Sequence, residues 1–297
     1  MKYAITGAAG NISKPLAEKL LKAGHDVTVI GRNAENIRSL TDIGAKAAIG
    51  SVQDVEFLKK AFAGADAVYT MSPPNYNTND MKASIAEVEK NYVEALKANN
   101  IKYVVNLSSI GAHAADGCGP VTGLYWGEQA MNELKNTNIK HLRPGYFFSN
   151  FLGNVDMVKN MNIIGGNFGG TNFKMVLADT NDVAEAAFEE LSNLNFQGHT
   201  VRYIASDERS TSDIARTIGI AIGIPELPWI TFSDEQAFGG MTQMGIPENA
   251  AKNFTEMGHA MQSGIMFEDY WKHHPDKLGK TKLEDFAQTF AAVYHSN

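Results

Sequence analysis

The stretch Tyr3-Ala4-Ile5-Thr6-Gly7-Ala8-Ala9-Gly10-Asn11-Ile12-Ser13 constrains this chain more than any other. A short β-type run ends in two glycines three residues apart, and a helical pattern through Leu16, Leu20 and Leu21 follows at once. Glycine at position 7 permits a tight turn, and glycine at position 10 lets backbone approach a bulky anion. The helix start adds unpaired N–H groups and the positive end of the helix dipole. Ser13 is small enough for close helix-on-strand packing. The arrangement fits the pyrophosphate of a dinucleotide, with Gly7, Ala9, Gly10, Asn11 and Ile12 as the contacting turn.

The rest of the first half repeats this alternation. Val27–Ile30, Ala45–Ile49, Ala67–Tyr69 and Tyr103–Leu107 read as strands. A helix over Ile85–Ala98 carries Val88, Tyr92, Ala95 and Leu96 at helical spacing. Another helix is expected near Glu128–Asn136, before a strand at Ile139–Leu142. Alternation of this kind predicts an α/β fold: a doubly wound parallel sheet of Rossmann type with right-handed crossovers. Beyond it, Phe151–Phe173 reads as loop with short elements, Asp182–Leu191 and Thr211–Ile222 as helices, and Val201–Ile204 as a strand. Pro225–Asn297 is mostly helical. The expected division is a dinucleotide-binding domain over 1–150 and a smaller, mostly helical substrate lobe over 151–297, partly interleaved with it.

Net charge is −7 with no basic run, which argues against nucleic acid or an anionic membrane as partner. The single cysteine excludes an intrachain disulfide, and the apolar start is too short for a signal-peptide core. A cytoplasmic location is therefore expected. Histidine spacing gives no metal site: His273 and His274 are adjacent, and His259 stands alone. Cys118 lacks an assigned base and reads as inert. The C-terminal Met and aromatic residues (Met241, Met244, Phe254, Met257, Met261, Met266, Phe267, Tyr270 and Trp271) read mostly as helix core; Met257, Met261 and Gly264 fall on one face, which suits either a packed core or a pliable pocket wall.

Ligands of open α/β sheets bind beyond the carboxyl ends of the strands, which singles out three more groups. The second strand ends at Gly31-Arg32-Asn33, where an NAD-specific fold usually carries an acidic residue for the ribose hydroxyls. A guanidinium there can instead pair with a 2′-phosphate, a charge-assisted contact worth about 1.5–3 kcal/mol. NADP(H) is thus expected over NAD(H). Ser51 ends the third strand near the adenine position, and Met71-Ser72-Pro73 ends the fourth near the nicotinamide ribose.

On these motifs the chain resembles the NmrA-like group of atypical short-chain dehydrogenases/reductases. The resemblance extends to Leu107-Ser108-Ser109-Ile110-Gly111, to Leu142-Arg143-Pro144-Gly145-Tyr146-Phe147 and to Leu177-Ala178-Asp179-Thr180-Asn181-Asp182-Val183-Ala184. It implies NADP(H) binding, Pro144 beside the cofactor, and reduction of a quinone-like or other small electrophile. Short-chain dehydrogenases usually pair a serine with Tyr-x-x-x-Lys; here Ser108 or Ser109 and Tyr125 stand in place, but Gln129 replaces the lysine. Glutamine cannot lower a phenol pKa by charge, so tyrosinate chemistry is not expected. Tyr125, Ser108 and Tyr146 remain as residues to orient or polarise a substrate. The leading expectation is hydride transfer to a small conjugated acceptor. Its rivals are a non-catalytic NADP(H)-sensing regulator and an epimerase- or dehydratase-like enzyme. A homo-oligomer or a protein partner stays open.

Overall fold

A computed structural model describes residues 1–296 of the chain. Its strands are β1 (Lys2–Ile5), β2 (Asp26–Gly31), β3 (Lys46–Ile49), β4 (Ala67–Met71), β5 (Tyr103–Leu107), β6 (Asn138–Pro144), β7 (Tyr146–Phe147), β8 (Ile164–Gly166), β9 (Lys174–Ala178), β10 (His199–Ile204), β11 (Asp207–Ser210) and β12 (Trp229–Thr231). Seven of them form one sheet in the order β10-β6-β5-β4-β1-β2-β3. Every neighbouring pair in it is parallel. The doubly wound parallel sheet expected from the sequence is therefore present.

The helices are α1 (Ser13–Lys22), α2 (Arg38–Thr41), α3 (Val55–Ala61), α4 (Met81–Ala98), α5 (Val121–Met131), α6 (Val155–Met161), α7 (Thr180–Asn193), α8 (Thr211–Ile222), α9 (Asp234–Gln243), α10 (Glu248–Gln262), α11 (Glu268–Lys272) and α12 (Leu283–Ser296). Period-two burial explains the two layers they make. Tyr3 and Ile5 of β1 pack with Leu16 and Leu20 of α1 and Ala187 of α7 on one face. Ala4 joins Leu58 of α3 and Tyr92 and Leu96 of α4 on the other. A third core, built on Phe148, Phe151, Phe286 and Phe290, draws mainly on the second half of the chain. That half also supplies β10, which extends the main sheet beside β6, and the small sheets β11-β9-β7 and β12-β8.

Two helices differ most from expectation. The fourth begins at Met81 rather than Ile85, because Asp80 caps it by accepting from the Ala83 N–H at 2.9 Å. The fifth spans Val121–Met131 rather than 128–136. Gly123 and Gly127 lower its intrinsic propensity, but both lie where α5 presses on α4. A Cβ on Gly123 would come within 2.5 Å of the Lys82 carbonyl and 2.9 Å of Ile85 Cβ; one on Gly127 would meet Glu89 Cβ at 2.6 Å. Close approach of two helices, not local preference, makes this segment helical.

Candidate cofactor and active site

The strand order β3-β2-β1-β4-β5-β6 sets the expected site residues in a row along one edge of the sheet. Ser51 follows β3, Arg32 follows β2, Gly7 follows β1, Met71 ends β4, Ser108 follows β5 and Pro144 ends β6. The chain reverses its winding direction between β1 and β4, the crevice where open α/β sheets take ligands. Gly7 sits there at φ +65°, a conformation that favours glycine, and an added Cβ would collide with the Met71 side chain. The turn is held by Gly10 N–H on the Gly7 carbonyl at 2.8 Å and Ala8 N–H on the Ile30 carbonyl at 3.2 Å. Thr6 Oγ1 accepts from Met71 N–H at 2.9 Å and locks the ends of β1 and β4 together.

These residues suit a dinucleotide. No side chain caps the start of α1, and its first turn carries no acidic residue, so its positive end faces the Gly7–Ile12 turn unopposed. Arg32 is exposed and, among the described residues, pairs with no carboxylate. Asn33 uses its Oδ1 on the Glu35 N–H at 2.9 Å. Ser51 Oγ likewise accepts from Gln53 N–H at 3.2 Å, tightening the turn after β3.

Next to Gly7 the strand ends open into a cavity of about 290 Å³. Met71, Ser72, Ser108, Pro144 and Tyr146 all line it, so five of the residues singled out from sequence meet there, with Ser109. Leu124 and Val121 of α5 and Phe254, Met257 and Met266 from the C-terminal segment close it. The walls are mostly apolar. Met261 packs instead in the core, and Met244 is exposed. Pro73 is not among the lining residues, whereas Pro74 is.

Tyr125 does not line the cavity. It is half-buried, and Gln129 is exposed. One residue is a rotation of about 100° on a helix, and the cavity side of α5 carries Val121 and Leu124. Glu128, four residues beyond Leu124, is buried behind them. Tyr146 is mostly buried and packs against Phe151 and Phe168 at ring separations of 5.3 and 6.1 Å. Burial pushes its phenol up to about 12, against a pull from Asn150, so it is a neutral donor.

Behind the cavity lies a polar network that sequence reasoning misses. Ser108 Oγ donates to Glu128 Oε1 at 2.5 Å. Arg143 Nε and Nη2 bind the two Glu128 oxygens at 3.0 and 2.6 Å. The same guanidinium donates to Tyr203 Oη and to the Ala112 carbonyl. On the other side, Ser72 Oγ donates to Glu89 Oε1 at 2.6 Å. Glu89 is fully buried, and its Oε2 has no hydrogen-bond partner. Burial pushes its carboxyl up to about 7; the Ser72 bond opposes this and the Glu128 charge adds to it. Glu89 stands four residues after Ile85 and three before Tyr92, on the apolar stripe of α4. A charged residue in that stripe is the signal by which it could be found.

Two other groups are accounted for. Cys118 is buried, and burial pushes its thiol up to about 11, which leaves it unreactive. Among the described residues no three His, Cys, Asp or Glu side chains gather as a metal ion requires. No helix among them is long and apolar enough to cross a membrane.

The turn, the switch point and the row of strand ends define a dinucleotide-binding Rossmann protein. Residues 7–194 match the model of the NAD(P)H-binding family, and the chain belongs to that family. An NAD(P)H azoreductase of Xenophilus azovorans is 24% identical over 255 residues, 85% of each chain. The NADPH-dependent quinone oxidoreductase of Escherichia coli, solved with NADPH, superposes with a TM-score of 0.82 at 20% identity, covering 97% of this chain and 99% of that one. The triphenylmethane reductase of Citrobacter sp., solved with NADP(H), gives 0.80 at 22% identity over 97% and 99%. Nucleoside-diphosphate-sugar epimerases share the fold as well. At such identities the likeness between structures establishes the fold.

Proposed function

We propose that this protein is an NADPH-dependent reductase of small conjugated electrophiles, quinones foremost, and one of the NmrA-like atypical short-chain dehydrogenases. The observation that carries the reading is the mostly apolar cavity beside Met71, which adjoins the glycine turn and has only a few hydroxyls on its wall. Bound there, the dinucleotide would supply a hydride. The Gly7–Ile12 turn and the start of α1 hold its pyrophosphate. Arg32, exposed and uncommitted, receives the 2′-phosphate; Asn33, Ser51, Met71, Ser72 and Pro144 complete the cofactor surface. Ser108 and the neutral Tyr146 orient the acceptor, while the apolar wall excludes water. The lobe after residue 150 shapes the substrate end, the partner is a small molecule, and the location is the cytoplasm.

An epimerase cycle needs a base to take a hydroxyl proton, and among the described residues no Tyr-Lys pair lines the cavity to do so. A sensing regulator would bind the same cofactor without turnover. NADPH oxidation with a panel of quinones and azo dyes separates them: turnover with product formed mole for mole is expected, and its absence refutes the reading. For the cofactor, wild type should bind NADPH about tenfold to a hundredfold more tightly than NADH, the worth of one charge-assisted contact. Arg32→Ala should remove most of that gap in titration calorimetry while NADH affinity holds; a gap that survives would show that another group reads the phosphate.

A further inference from the structure

Two serine hydroxyls on the cavity wall each lean on a buried glutamate, but the two glutamates differ. Glu128 is neutralised by Arg143 through two hydrogen bonds. Among the described residues Glu89 pairs with no cation. Ser72 after β4, Tyr92 from its own helix, and Gly127 and Glu128 from α5 face it. With one oxygen unpartnered and the whole side chain buried, an ionised Glu89 is costly, and the carboxylic acid is the favoured form up to neutral pH. A glutamine would satisfy Ser72 without this penalty. Among the described residues Ser72 is the cavity-lining side chain hydrogen-bonded to this acid.

We propose that Glu89, acting through Ser72, stores and delivers the proton that a reduced substrate requires, an inference that rests on the reductase reading above. Hydride addition to a quinone leaves a hydroquinone monoanion. The Ser72 Oγ–H bond then breaks as a new O–H bond forms on the substrate oxygen. The Glu89 O–H bond breaks in turn as Ser72 regains its hydrogen, leaving the carboxylate. After product release, water entering the cavity returns one proton through Ser72. The quinone gains two electrons with the hydride, the dinucleotide loses them, and one proton is consumed. With Glu89 ionised, Ser72 donates to it, as in the geometry described. With Glu89 protonated the bond reverses, which frees the Ser72 hydrogen for the cavity. Glu89 is thus a positioning residue and proton store, and Ser72 is the group that touches substrate.

The test compares a quinone with a triarylmethyl cation dye, whose reduction by hydride gives a neutral product and consumes no proton. For wild type the quinone rate should fall as pH rises through about 7, and the dye rate should not follow it. In Glu89→Gln the ratio of quinone to dye rate at pH 6 should drop by about a hundredfold, the lower end of general-acid catalysis, and the pH limb should vanish. Ser72→Ala should lower the same ratio when both acceptors are read at saturating NADPH. Independently of turnover, infrared titration of wild type should show a carboxylic-acid carbonyl band that is lost between pH 6 and 8 and absent from Glu89→Gln. An unchanged ratio and pH profile in Glu89→Gln, or no such band, overturns the proposal. Turnover of neither acceptor by wild type overturns the reductase reading and this inference with it, whereas turnover of both at an unaltered ratio overturns the inference alone.

Discussion

Two buried groups in this protein titrate against each other, and replacing one should expose the other. Glu89 is favoured as the acid, with burial raising it from 4.5 to about 7. His141 is favoured as the neutral base, with burial lowering it from 6.5 to about 4. Thr70 donates to Asn106 Oδ1 at 2.8 Å, which turns the Asn106 amide N–H₂ toward His141 Nδ1 at 3.2 Å; His141 Nε2–H then donates to Asn132 Oδ1 at 3.0 Å. Between pH 4.5 and 7 the folded state holds more protons at Glu89 than the unfolded chain, so this site loses stability as pH rises. Between pH 4 and 6.5 the unfolded chain holds more protons at His141, so that site gains stability as pH rises. Each displacement, taken over its full pH range, corresponds to about 3 kcal/mol, and over the shared window the two nearly cancel. Glu89→Gln keeps the shape and an acceptor for Ser72 but cannot ionise. Urea unfolding at half-unit steps from pH 4 to 8 should show the variant gaining on wild type by up to about 3 kcal/mol between pH 4.5 and 7, then holding level. In the variant itself the rise from pH 4 to 6.5 should stand uncovered. A difference between the two proteins that is independent of pH would refute the reasoning.

The parts of this molecule that follow from a local period are legible in its sequence. Runs such as Val27–Ile30 and Tyr103–Leu107 fall inside strands of the sheet, because buried parallel strands are continuously apolar. The glycine turn is legible because its order, strand then glycines then helix, leaves few alternatives. Parts that depend on two elements meeting are not. Gly123 and Gly127 argue locally against a helix, and only the face of α4 explains them. Tyr125 draws notice through the Tyr-x-x-x-Lys pattern of the family it resembles, whereas the cavity receives Leu124 and the buried network receives Glu128. Arg143 and Glu128 stand fifteen residues apart in the chain, and no periodicity announces their pairing. The pocket wall lies between these cases: the spacing of Met257 and Met261 marks a helix face without saying whether it meets core or cavity, and Met257 meets the cavity while Met261 meets the core.

Gly10→Val should abolish NADPH binding in titration calorimetry while circular dichroism stays near wild type. Its Cβ would sit 3.1 Å from the Gly7 carbonyl, and its methyl groups would fill the space that the pyrophosphate needs; a folded variant of unchanged affinity would place the cofactor elsewhere. Tyr125→Phe addresses the catalytic assignment. Deleting one neutral hydrogen-bond donor that touches substrate costs about 0.5–1.5 kcal/mol, or roughly threefold to tenfold in rate. Tyr125 does not line the cavity, so the quinone rate should change by less than that lower bound, and no tyrosine limb should leave the pH–rate profile. A tyrosinate mechanism makes the opposite forecast, since removing the essential acid–base group forfeits most of its catalysis, about a hundredfold to ten-thousandfold. A loss of that size in Tyr125→Phe, with NADPH affinity intact, would mean that α5 turns its other face to the substrate during turnover and that the Tyr125 hydroxyl, not Ser72, meets the reacting oxygen.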